Sequence, residues 1–140
     1  MTRRAMREHV FKIVFHLPFY PAEEMDGQIE RYWKSAEDVT EAEQALLTGK
    51  AKEILAKVPE LDEKITASTE GWRLNRFNRV DLAVVRLALY EMLYDEEVPV
   101  KVSINEAVEL AKKFGGDEPP QFVNGILAKL LKAEGLDGQE

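Results

Sequence analysis

Cysteine is absent from this sequence of 140 residues. Its absence excludes disulfide bonds, thiolate metal sites and cysteine nucleophiles, and it fits the reducing environment of the cytoplasm. Long apolar runs are also missing, because no stretch approaches the roughly 20 residues that cross a bilayer as a helix. The charged start of the chain, residues 1–9, does not resemble a secretory signal peptide. We therefore expect a cytoplasmic protein that makes no membrane contact.

Motifs for catalysis or cofactor binding are missing as well. The sequence has no glycine-rich phosphate loop, no HExxH metal motif and no nucleophile elbow. Two helical turns would separate His9 from His16 by about 10.5 Å along the axis, which is too far for both to bind one metal ion. The acidic pairs at 23–24 and 96–97 are typical of solvated turns. We expect no enzyme activity, no metal site and no cofactor.

Positive charge is scarce and unevenly distributed. The chain carries a net charge of −7, yet residues 1–16 carry +3, which leaves −10 on the remainder. Arg3 and Arg7 are spaced to share one face of a helix, with Arg4 beside them, and the planar guanidinium suits bidentate contacts to phosphate. Cations at a helix N-terminus oppose the macrodipole unless an anion is bound. The basic start therefore indicates either a localised contact with an anion or a frayed, solvated terminus.

Helical periodicity dominates the sequence, and local signals mark where helices begin and end. Apolar residues recur at intervals of three and four in segments at 3–17, 22–34, 40–58, 59–65, 78–95, 103–114 and 120–131. Capping boxes predict helix starts at Thr40–Glu43 and at Ser103–Glu106. Gly115 and Gly116 are expected to end a helix in the left-handed cap conformation. Gly125, inside the last helical pattern, predicts close packing at that position.

Segment 78–95 is predicted to be the buried axis of a bundle, because it is apolar nearly all round. Between Val80 and Tyr94, three charged residues interrupt it: Asp81, Arg86 and Glu91. Since buried charges need partners, we expect these residues at the edges of the helix, either paired internally or facing another protein.

The fold class follows from these patterns. No segment shows sustained two-residue alternation, so no strand is predicted. We predict an all-α fold of about seven helices that pack as two subbundles, residues 1–58 and 59–134, followed by a short tail at 135–140. The subbundles are expected to behave as one compact domain.

Aromatic residues mark two candidate contact surfaces. Phe11 and Phe15 lie one turn apart beside the apolar stripe of the first helix, which fits either a wide core face or a surface that docks a partner. Phe114 and Phe122 flank a loop, with polar Gln121 alongside. Aromatic rings commonly stack on the unpaired bases of single-stranded RNA, and the same residues also fit an ordinary core.

Three stretches of the sequence match a known pattern: residues 78–93 (NRVDLAVVRLALYEML), Val98-Pro99 followed by residues 102–115 (VSINEAVELAKKFG), and residues 122–127 (FVNGIL). Together they resemble the NusB family of bacterial antitermination factors. The arginines near the start of the chain match the first helix of the family. The resemblance covers essentially the whole chain and is strongest from about 72 to 131.

The resemblance implies a helical bundle in two halves that pairs with NusE, a ribosomal protein of the small subunit. Together the two proteins would bind the single-stranded boxA element of ribosomal RNA leaders, and contact with the RNA polymerase antitermination complex would be indirect. Matched by position, the residues expected to contact RNA are Arg3, Arg4, Arg7, Arg76, Phe114, Glu118, Gln121 and Phe122. Those expected to contact NusE are Phe15, Phe19 and Asp81.

Two other hypotheses stay open at this point. Certain RNA cytosine methyltransferases attach a NusB-like helical domain to a catalytic domain, so the chain would then be the RNA-binding part of an enzyme. Such an enzyme needs a cofactor-binding sheet and a catalytic cysteine, and this sequence contains no cysteine. A helical scaffold without any RNA role is the third hypothesis. The stand-alone antitermination factor is the leading one.

Overall fold

The computed structural model describes residues 1–69, 77–115 and 118–136. Within these ranges the chain forms seven α-helices and no strand, which confirms the predicted all-α class. The helices are α1 (Arg3–His16), α2 (Met25–Ser35), α3 (Glu41–Ala56), α4 (Val58–Ser68), α5 (Arg79–Tyr94), α6 (Val100–Phe114) and α7 (Pro120–Ala133). Two short 3-10 helices, Leu17–Phe19 and Ala22–Glu24, lie between α1 and α2. The chain divides into two compact units, Met1–Ala56 and Lys57–Glu140.

The first unit is built around α1. Thr2 caps this helix, because its hydroxyl accepts a hydrogen bond from the Ala5 backbone N–H at 3.0 Å. The Trp33 indole of α2 donates to the Thr48 hydroxyl of α3 at 2.8 Å. Helices α1 and α3 pack together. Their buried side chains are Val10, Phe11, Ile13 and Val14 from α1 and Leu47, Ala51 and Ile54 from α3.

A capping box starts α3 where the sequence predicts one. The Thr40 backbone N–H donates to Glu43 Oε1 at 3.0 Å, and the Glu43 backbone N–H donates to Thr40 Oγ1 at 3.1 Å. The bond from the Thr40 backbone stabilises the carboxylate and lowers the pKa of Glu43. The amino group of Met1 lies 3.6 Å from Glu43 Oε2. One carboxylate therefore contacts both the start of the chain and the start of α3.

The second unit is built around α5, which is buried as predicted and packs against α4, α6 and α7. Arg86 lies at its edge and pairs with Asp62 of α4, so this charge is paired internally. The expectation of an edge position is wrong for Asp81 and Glu91, because both residues are buried. Polar partners offset such burial: Asp81 bonds to Asn78, and Glu91 also interacts within the protein.

Helix α6 begins three residues before the predicted start. Its first residue is Val100, and the Pro99 carbonyl accepts from the backbone N–H groups of Val102 and Ser103. The capping box predicted at Ser103 is therefore wrong. Pro99 explains the earlier start, because its fixed φ of −58° places it as the capping residue. Ser103 is 1% exposed, and its hydroxyl has no hydrogen-bond partner among the described residues.

At two positions, the structure does not support the reason for which the sequence analysis expected glycine. Gly115 ends α6 with φ at −63° and ψ at 159°, which is extended rather than left-handed, and Gly116 lies outside the described residues. Glycine is required there because a Cβ atom would collide with the Ala111 carbonyl oxygen. The prediction of close packing at Gly125 is also wrong for the part of the chain that the structure describes, since a Cβ atom placed there meets none of its atoms within 4 Å. One exposed position in the middle of α7 therefore carries no side chain.

Candidate nucleic-acid and partner interface

The predicted basic residues lie on the first two turns of α1, in the first unit. Arg3 and Arg4 are exposed, and Arg7 is half-buried one turn later. The first turn of α1 contains no acidic residue that would complement the helix dipole. Arg4 and Arg7 also interact within the protein, so binding an anion would add to existing contacts or replace them. The capped start of α1 concentrates positive charge at one place.

A polar and aromatic cluster that the sequence did not predict joins α1 to α2. His9 Nδ1 is 2.6 Å from the Tyr32 hydroxyl, and the His9 ring lies 5.4 Å from the Trp33 ring. Burial lowers the pKa of His9, and the charge of Lys12 lowers it further. Burial raises the pKa of Tyr32 to about 12. We expect His9 to stay neutral at pH 7, so α1 draws its positive charge from the arginines and Lys12.

Three phenylalanines form a row from the core of the first unit to its surface. The rings of Phe11 and Phe15 lie 6.1 Å apart, and those of Phe15 and Phe19 lie 5.8 Å apart. Phe11 is buried, Phe15 is half-buried and Phe19 is 50% exposed. The sequence allowed either a core face or a docking surface for these rings, and Phe11 belongs to the core. Phe19, positioned by Phe15, presents an aromatic ring to solvent.

The other predicted RNA-contacting residues lie in the second unit, where α6 ends and α7 begins. Phe122 is half-buried, and its ring lies 5.5 Å from the ring of Phe77. Phe114 is half-buried, with the Lys113 ammonium 5.4 Å from the centre of its ring. Glu118 and Gln121 are exposed. Arg76 lies outside the described residues.

Asp81 is only 1% exposed and lies in the first turn of α5, where Asn78 is the capping residue. Asn78 Oδ1 accepts from the Asp81 backbone N–H at 2.8 Å, and Asn78 Nδ2 donates to Asp81 Oδ2 at 2.9 Å. Burial raises the pKa of Asp81, the bond from Asn78 opposes this effect, and the charge of Glu118 adds to it. A carboxylate in this position holds the start of α5, close to the Phe77–Phe122 contact.

The raised pKa of Asp81 predicts a pH dependence of stability. Because the folded-state pKa lies above the ordinary value of 3.8, folding takes up a proton at pH values between the unfolded and folded pKa. The contribution of Asp81 to stability is therefore largest below pH 3.8 and falls as the pH rises through the folded-state pKa. Urea unfolding at several pH values across this range measures the free energy of unfolding. In Asp81→Asn, the fall of this free energy with pH that Asp81 causes should be missing. Glu97→Gln, an exposed control, should retain it; equal slopes for all three proteins would contradict the prediction.

Within the described ranges, no group of three or more His, Cys, Asp or Glu side chains is placed to hold a metal ion. His16, the second histidine, contacts the ring of Tyr20 at 5.1 Å. None of the helices in the described part of the chain is long and apolar enough to cross a membrane.

Comparisons with known proteins agree with this fold. The NusB family model matches residues 4–132. The chain is 47% identical to the transcription antitermination protein NusB of Lachnoclostridium phytofermentans, over 94% of this chain and 99% of the relative. Identity is 45% to that of Agathobacter rectalis, over 92% and 98% of the two chains. A solved structure of T. maritima NusB superposes with a TM-score of 0.82 at 34% identity, covering 94% of this chain and 92% of that one. The chain belongs to the NusB family of transcription antitermination proteins.

Proposed function

We propose that this protein binds single-stranded boxA RNA of ribosomal RNA leaders together with NusE, and thereby joins the RNA polymerase antitermination complex indirectly. The observation that carries the RNA part is the pair of exposed arginines, Arg3 and Arg4, on a capped first turn that contains no acid. Such a turn favours an anion, because cations and the helix dipole reinforce each other there. Membership of the NusB family supports the same proposal.

Residues of the second unit would contact the bases. The Phe122 ring is backed by Phe77, so its orientation is fixed before RNA arrives, and exposed Gln121 supplies a hydrogen-bond donor and acceptor beside it. Phe114, Glu118 and Arg76 complete the proposed contacts. Single-stranded RNA is commonly held by this combination of stacking and phosphate contacts.

NusE would dock on the Phe15–Phe19 end of the aromatic row. An exposed aromatic ring held by a second ring is a common binding hot spot, because little side-chain entropy remains to be lost. For Asp81 we propose a positioning role in the partner contact, since its carboxylate is buried and bonded to Asn78. Replacing it would disturb the start of α5 before it changed any direct contact.

Replacing Arg3, Arg4 and Arg7 together by alanine should weaken RNA binding and flatten its salt dependence. Each phosphate neutralised on single-stranded RNA contributes a slope of about −0.7 to a plot of log K against log salt, so three lost contacts flatten it by up to about 2. Fluorescence anisotropy titrations with a labelled boxA RNA, repeated at salt concentrations between about 50 and 300 mM, measure the slope.

The control for this experiment removes the same charge elsewhere. Arg31, Lys34 and Lys112 are exposed on α2 and α6, so their triple alanine variant has the same net charge. We expect it to retain most of the wild-type slope. The proposal that the start of α1 contacts RNA is contradicted if both triple variants lose affinity and slope equally, because the effect would then be non-specific.

Phe122→Leu should weaken RNA binding by about tenfold or more, because stacking contributes roughly 1–3 kcal/mol per base and leucine lacks the ring. Stability should fall only modestly, since leucine keeps much of the apolar volume against Phe77. Anisotropy titration and thermal melting separate the two effects. Phe11→Leu, in the core of the first unit, is the matched control and should lower the melting temperature without changing RNA affinity. A Phe122 variant that behaves like this control would assign Phe122 to the core.

A further inference from the structure

Nothing among the described residues requires glycine at position 125. It lies in the interior of α7 and is exposed, where glycine makes a helix less stable than alanine does. A Cβ atom placed on Gly125 meets no atom of the described residues within 4 Å, so their packing does not require its absence. Its φ is not positive either. The missing side chain therefore leaves a gap on the outer surface of α7.

The gap adjoins the side chains that we propose to contact RNA. Side chains three and four residues apart on a helix are neighbours, with Cβ atoms about 5–6 Å apart. Phe122 and Gln121 stand in this relation to Gly125 on one side, and exposed Lys129 does so on the other. Because Cα–Cβ bonds tilt toward the helix N-terminus, a methyl group at 125 would extend over the turn that carries Phe122 and Gln121.

An open glycine is not by itself a sign of a ligand. Gly27 in α2 and Gly49 in α3 are equally open. Gly125 differs because it lies between a half-buried aromatic ring, fixed by Phe77, and the ammonium group of Lys129. An aromatic face and a cation separated by one bare helical turn match the base and the phosphate of one nucleotide unit.

We propose that Gly125 provides the space in which a nucleotide of the bound RNA lies directly against α7, with its base on Phe122 and its phosphate toward Lys129. This inference rests on the proposed RNA-binding function and adds the surface over which the strand passes. Any side chain at 125 lifts the base from the Phe122 ring, so Gly125 is a positioning residue that acts by its lack of a Cβ atom.

The test uses the opposite signs that this inference predicts for stability and for binding. Gly125→Ala should raise the melting temperature by about 2–4 °C, as alanine favours the helix, and should weaken boxA RNA binding about threefold to tenfold. Gly125→Leu should weaken binding by about tenfold or more while melting no lower than the wild type, because the position is open and stacking is lost. A purely structural role would lower stability or leave binding unchanged.

Gly49→Ala is the matched control, since it fills an equally open helical position in the first unit. It should raise the melting temperature by a similar amount without changing RNA affinity. Unchanged affinity in Gly125→Ala, while Phe122→Leu weakens binding, would overturn this inference alone. Equal losses in Gly49→Ala would overturn it as well, and so would a loss seen only in the presence of NusE, which would assign Gly125 to the protein contact. A wild-type protein that binds no boxA RNA with or without NusE would overturn the proposed function and this inference together.

Discussion

Asp62→Ala is expected to destabilise the second unit by about 3 kcal/mol, near the lower end of the range for breaking a buried ion pair. Arg86 Nε donates to Asp62 Oδ1 at 2.8 Å, and Nη2 donates to Oδ2 at 2.7 Å. The two side chains are 14% and 18% exposed, so water replaces the lost partner only in part. The guanidinium would remain in the contact between α4 and α5 without its carboxylate, and urea unfolding measures the loss.

Most of this loss should come from the charge left without a partner and little from the pair itself. The double variant Asp62→Leu with Arg86→Met should therefore be more stable than Asp62→Ala, because apolar residues of similar volume often replace a buried pair without loss. The exposed pair Glu30–Lys34, 3.7 Å apart, is the control, and Glu30→Ala should cost about 0.5 kcal/mol or less. A loss below about 1 kcal/mol in Asp62→Ala would show that solvent screens the pair as it does at the surface.

NusE is expected to raise the affinity of this protein for boxA RNA by a factor of about 10 or more, a coupling within the usual range for linked binding sites. The charge distribution supplies the reason: residues 1–16 carry +3 while the remaining residues carry −10. Few arginines are available for phosphate contacts, and the acidic remainder repels a polyanion within a Debye length of about 8 Å. A basic partner at Phe15 and Phe19 would neutralise part of this field and extend the RNA-binding surface.

Linkage makes the expectation testable from both directions. RNA must tighten the contact with NusE by the same factor by which NusE tightens the contact with RNA. Phe19→Ala should weaken NusE binding by about 30-fold, as the loss of an aromatic hot spot does, and should leave RNA affinity without NusE unchanged. Tyr94→Ala removes a comparably exposed ring, 40% exposed, from the second unit and should change neither affinity. Equal RNA affinity with and without saturating NusE at physiological salt would contradict this proposal.

Capping interactions within one helical turn were predictable from the sequence where no neighbouring residue favoured a different start of the helix. The box at Thr40–Glu43 forms as predicted, because its two hydrogen bonds join residues three apart that the chain itself brings together. The capping box predicted from the same pattern at Ser103–Glu106 was wrong, since Pro99 starts α6 earlier. The reason at Gly115 was also wrong, because a close approach of the Ala111 carbonyl and not a left-handed φ requires glycine there.

The candidate site was predictable in part for the same reason. Its residue types and their order along the chain are visible in the sequence, including the arginines of α1 and the Phe122 segment. Which side chains are accessible depends on neighbours that are distant in sequence. Burial of Asp81 and the support of Phe122 by Phe77, 45 positions earlier in the numbering, arise from how α5 and α7 pack.

The sequence by itself determined the all-α class, the buried course of α5 and the concentration of positive charge at the start of α1, because periodicity and composition are properties of the chain alone. Only the tertiary structure decided that Arg86 pairs with Asp62, that His9 meets Tyr32 and that no described residue packs against Gly125. These contacts and this gap depend on helix packing, in which residues more than 20 positions apart compete for the same partners and the same volume. Local periodicity does not specify the outcome of that competition.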